Sequence, residues 1–103
     1  MLHREIENKS QARMIALQMA DDIRQELECY KSYKVRVDDE YYVKVTSPQP
    51  CPILTGAALG DILDVVGVYE MLYKNYIGHH IGTEEWNERI IPSFIVSVGY
   101  KRY

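Results

Sequence analysis

The spacing of hydrophobic and polar positions changes several times along the chain, and each change predicts an element. From about Glu5 or Ser10 to Tyr30, the residues Ala12, Ala16, Met19, Ile23, Leu27 and Tyr30 recur at steps of three and four. That spacing puts them on one stripe of a helix, with Ile15 and Ala20 beside it. Ser10 is a candidate cap, and a turn near Leu2 is the alternative start. The far side carries Arg13, Asp21, Arg24 and Glu28, with Arg24 and Glu28 spaced to pair. Met14 and Leu17 fall on this charged side, where a monomer leaves them wet.

The period then shortens to two. Tyr33-Lys34-Val35-Arg36-Val37 and Tyr41-Tyr42-Val43-Lys44-Val45 alternate around Asp38-Asp39-Glu40, which predicts a β-hairpin. Tyr33, Val35, Val37, Tyr41, Val43 and Val45 form its inward face. Lys34, Arg36, Tyr42 and Lys44 form the outward one.

Ser47-Pro48-Gln49-Pro50-Cys51-Pro52 reads as an extended loop, because proline lacks an N–H and its ring fixes φ. Thr55 can cap a second helix running to about Tyr76, with Leu59, Ile62, Leu63, Val66, Tyr69 and Tyr73 as its apolar stripe. The β-branched run Val65-Val66-Gly67-Val68-Tyr69 also suits a strand, so residues 65–69 are open between helix and strand. On a helix, Gly56, Gly60 and Gly67 share one side, and each costs roughly 1 kcal/mol against alanine. Close packing against the sheet or the first helix is the expected reason for them.

Ile77-Gly78-His79-His80-Ile81-Gly82 reads as a loop, and Thr83 to Trp86 as a short helical turn that Pro92 ends. Ser93 to Tyr100 alternates again, with Phe94, Val96, Val98 and Tyr100 on one face. The predicted order is α-β-β-α-(short α)-β. This is a small two-layer α+β domain spanning residues 1–103, with about three antiparallel strands packed on two main helices.

Composition narrows the classes of function. The chain is 47% hydrophobic and 26% charged, as a folded globule is. A net charge of −3 argues against nonspecific nucleic-acid binding, which depends on a field of lysine and arginine. The charged start Met1 to Glu7 does not read as a signal peptide, and no uncharged run reaches membrane-helix length. Cys29 and Cys51 are therefore expected as reduced thiols in a cytoplasmic setting. Nine tyrosines against one Phe and one Trp suit a thin core with half-buried rings at its rim.

Chemistry-bearing clusters are sparse. His79 and His80 with Glu84 and Glu85 have the donor types of a metal site, but adjacent histidines diverge and no His-x-x-x-His step is present. Solvated carboxylates at a helix start are the expectation there, with no metal and no cofactor. Cys51 has no adjacent histidine or motif to activate it, so no catalytic residue is assigned. Lys34, Arg36 and Lys44 interleaved with Tyr42 outline a platform for a base and a phosphate, beside the repelling acids Asp38 to Glu40.

The sequence thus favours a non-enzymatic interaction or assembly module, binding copies of itself or another protein through Met14, Leu17, Tyr42, Tyr100 and Tyr103. The size suits a small accessory or structural protein of a virus or other mobile element. A nucleic-acid module on the hairpin face is the first alternative. A small enzyme or metal protein using His79, His80 and Cys51 is the second.

Overall fold

The computed structural model describes residues 4–28, 33–46, 56–86 and 88–99, and their side chains except those at 56, 57, 84, 86 and 89. The order is α1 (Lys9–Glu26), β1 (Lys34–Val37), β2 (Tyr42–Thr46), α2 (Gly56–Leu72), β3 (Ile77–Trp86) and β4 (Arg89–Val98). The four strands form one antiparallel sheet in the order β1-β2-β4-β3. The described residues are therefore α+β with two helices, as the patterning predicts, and they hold one strand more than expected.

Asn8, rather than Ser10, caps α1, its side chain accepting from the Gln11 N–H at 2.9 Å. The Gln11 side chain accepts in turn from the N–H of Glu7, the residue before the cap, and so fixes the approach to the helix. Ala12, Ile15, Ala16, Met19, Ala20 and Ile23 are buried, which places the predicted stripe against the sheet. Arg24 reaches across to the Val35 carbonyl at 3.0 Å, tying α1 to β1. The Arg4 N–H donates to the Leu72 carbonyl, which satisfies one of the last acceptors of α2.

The first hairpin forms in the predicted register, with Val35 opposite Val45 and Val37 opposite Val43. Val43 and Val45 are fully buried. Val35 and Val37 are half-buried because β1 is an edge strand. Asp38 organises the turn, its Oδ1 accepting from both the Glu40 and Tyr42 N–H groups at 2.9 Å. The turn closes on Tyr41 at φ 63°, a left-handed position where glycine is usual. Its ring packs against the core, which offsets the backbone cost.

Residues 65–69 are helical. Ala58, Ile62, Val66 and Tyr69 make the buried side of α2, continued by Tyr73 just past its end, while Leu63, placed on the stripe by spacing, is 38% exposed. The expectation for the glycines needs correction. A Cβ at Gly60 or Gly67 would meet nothing within 4 Å, so close packing against the sheet or α1 does not account for either.

The larger correction lies at residues 77–86. The predicted loop and helical turn are one ten-residue strand, and β4 begins at Arg89 rather than Ser93. Pro92 sits inside β4 opposite Thr83, one residue beyond the last β2 pair, Thr46 with Ser93. The bonding pattern explains how proline is tolerated there. The Gly99 N–H donates to the Tyr76 carbonyl, and antiparallel bonding alternates along the ladder. Even-numbered β3 residues therefore bond to β4, and the pair Thr83–Pro92 requires no donor from Pro92.

Candidate functional site

The sheet has a helix-covered face and an outer face, and strand parity assigns every strand residue to one of them. Val35, Val37, Val43, Val45, Phe94, Val96 and Val98 stand on the helix side; by register the odd-numbered residues of β3 share that side, but only Ile77 is buried there, and 79, 81, 83 and 85 are exposed. Lys34, Arg36, Tyr42 and Lys44 stand on the outer face, as the alternation predicts. Cross-strand pairing sets Arg36 directly opposite Lys44, an unfavourable pair of like charges. Asp38 lies 3.3 Å from the Lys44 ammonium and offsets the crowding. A carboxylate thus sits within the proposed phosphate platform.

His79 and His80 are neighbours on a strand, so their side chains leave opposite faces of the sheet. His79, on the helix side, stacks on Phe94 with ring centroids 5.2 Å apart. Its Nδ1 lies 2.8 Å from Glu70 Oε1 on α2. His80 lies on the outer face beside Gly82. Among the described residues, no three or more His, Cys, Asp or Glu side chains converge as metal ligands would. Cys29, Cys51, Tyr100 and Tyr103 lie outside the described residues.

A crevice of about 820 Å³ opens at one end of the sheet between the first hairpin turn and the start of β3. Its charged lining groups, Lys9, Asp39, Glu40 and Lys74, are of both signs and all exposed. It thus lacks a buried polar group that would select a ligand.

The apolar groups left uncovered are the more informative feature. Met14 is 70% exposed and Leu17 45%, one turn apart on the outward side of α1. Leu17 borders an open groove of about 310 Å³ with Arg13, Val37, Asp38, Asp39 and Tyr41. Leu63, Val68 and Met71 are uncovered on α2, as are Ile81 on β3 and Ile90 on β4. Sequence spacing marks Met14 and Leu17, but not Ile81 or Ile90, whose exposure follows from the strand it did not reveal.

Comparison with known proteins finds no family model, no curated protein and no solved structure that matches this chain. Among the described residues, no helix is long and apolar enough to cross a membrane.

Proposed function

We propose that this domain is a non-enzymatic interaction or assembly module whose work is contact with other protein chains, copies of itself first. The observation that carries the reading is the exposure of Met14 and Leu17 on a helix face bordering the groove toward Tyr41. A flexible thioether beside a leucine and a half-buried tyrosine offers apolar area at low entropic cost. Arg13, Asp38 and Asp39 rim the groove with charge that can fix the orientation of a partner.

Light scattering on a size-exclusion column tests the reading. A mass of two or more chains that falls on dilution is the expected result. A monomer mass at every concentration overturns self-association.

A further inference from the structure

We infer that β3 is a self-pairing edge, on which a second copy of this chain adds its own β3 antiparallel about a two-fold axis at Gly82. The inference rests on the contact reading above and names a surface that Met14 and Leu17 do not touch.

β3 lies at the end of the sheet order, and its even-numbered residues bond to β4. The peptide groups of His79, Ile81, Thr83 and Glu85 therefore turn toward the outer edge, where no described strand receives them. Natural sheets blunt such edges with short strands, proline or lysine. The opposite edge, β1, follows that rule, with four residues that include exposed Lys34 and Arg36. β3 has ten residues and no proline, lysine or arginine, with Ile81 58% exposed at its middle.

The strand is also complementary to itself. Paired residues of a strand ladder stand on the same face, so odd residues meet odd and even meet even. A two-fold axis at Gly82 sets Ile81 opposite Thr83 of the second copy and His79 opposite Glu85. By register, position 80 faces position 84, again a histidine against a glutamate. Moving the axis by one residue either way loses the match of His79 with Glu85. This matching of imidazoles with carboxylates therefore selects one register out of the available set.

Gly82 leaves the axis without a side chain. The Ile95 side chain lies across it on the outer face, and a Cβ there would come within 2.7 Å of Ile95 Cδ1. At the axis the two backbones approach with no side chain between them. The two-fold keeps both helix layers on the same side of the joined sheet. It brings the flank of α2 that carries Glu70, Gly67 and Leu63 toward its copy, the flank that His79 already fixes beside β3. The open space at Gly67 admits that approach.

Three variants of the full chain decide the matter. Ile81→Lys and Glu85→Lys each put a cation on an exposed position that does not bond to β4, and each should weaken the dimer about tenfold or more by light scattering. Ile81→Cys mixed with Thr83→Cys should give a disulfide-linked dimer under mild oxidation. Each cysteine variant alone should give no more than wild type, because only the mixture sets two thiols opposite at about 5.5 Å between Cα atoms. A dimer that withstands both lysine variants and fails to cross-link overturns β3 pairing and leaves self-association on another face. A monomeric wild type overturns both.

Discussion

The Tyr69 hydroxyl donates to the Asp22 carboxylate at 2.5 Å, joining α2 to α1 across the top of the sheet. Tyr69 is nearly buried, so its ring contributes packing while its hydroxyl holds a charged acceptor. Removing the hydroxyl with Tyr69→Phe is expected to cost about 1.5–3 kcal/mol, the range for a hydrogen bond to a charged group. Chemical denaturation measures it, and an unchanged midpoint would show that the bond contributes nothing.

The same pair predicts an alkaline limit to stability. Burial first, and then the hydrogen bond and charge of Asp22, raise the pKa of Tyr69 above its ordinary value of 10.0. The folded state thus holds the phenolic proton more tightly than the unfolded state does. Its stability contribution is fully present below pH 10 and declines above it, as the unfolded chain ionises and the folded chain does not. Thermal melts from pH 8 to about pH 11 should show a decline that is shallower in Tyr69→Phe.

Met14→Glu with Leu17→Glu should leave the fold within about 0.5 kcal/mol of wild type, since neither side chain is in the core. The same change should weaken any contact made through this face of α1, because it places charge in an apolar contact, and should leave pairing through β3 intact. Circular dichroism and light scattering read the two effects separately. A cooperative loss of helix would mean that this face of α1 supports the core.

In a loop between glycines, His79 and His80 would both be dispensable for stability. The strand changes that expectation for one of them. His79→Ala loses the stack on Phe94 and the contact with Glu70, and should cost about 1–2 kcal/mol. His80→Ala on the outer face should cost less than about 0.5 kcal/mol. Equal losses in urea unfolding would contradict the assignment of faces.

Gly60→Ala and Gly67→Ala test α2 in the opposite direction. Both sites have open space where the methyl group would go, and helix propensity favours alanine by about 1 kcal/mol at each. Melting temperatures should rise with each change and further with both. A fall would place a hidden contact on that side of the helix.

How legible each element was follows from its residues. The α1 stripe and the first hairpin are plain because their apolar residues repeat without interruption and their turn carries Asp38. α2 is ambiguous locally: Val65, Val66 and Val68 suit a strand, and only burial of Ile62, Val66, Tyr69 and Tyr73 on one side makes the helix the better packing. β3 is hidden for a different reason. Glycine stands at two of its outer-face positions and a histidine at a core-facing one, so its alternation carries little hydrophobic contrast. Pro92 then suggested a stop, although it falls where β4 requires no donor. The contact of His79 with Glu70 spans two elements, and no local pattern encodes it.

Because β4 lies between β2 and β3, the sheet is completed by inserting the strand made last among the four. The β1-β2 hairpin can close as soon as it is synthesised, but the joining of the two hairpins waits for residues 93–97. During translation the emerging chain therefore presents the apolar sides of two helices and one hairpin without their central strand. Such a topology delays collapse into the native layers until nearly all of the described chain is free of the ribosome, and it leaves those surfaces open to holding chaperones in the interval.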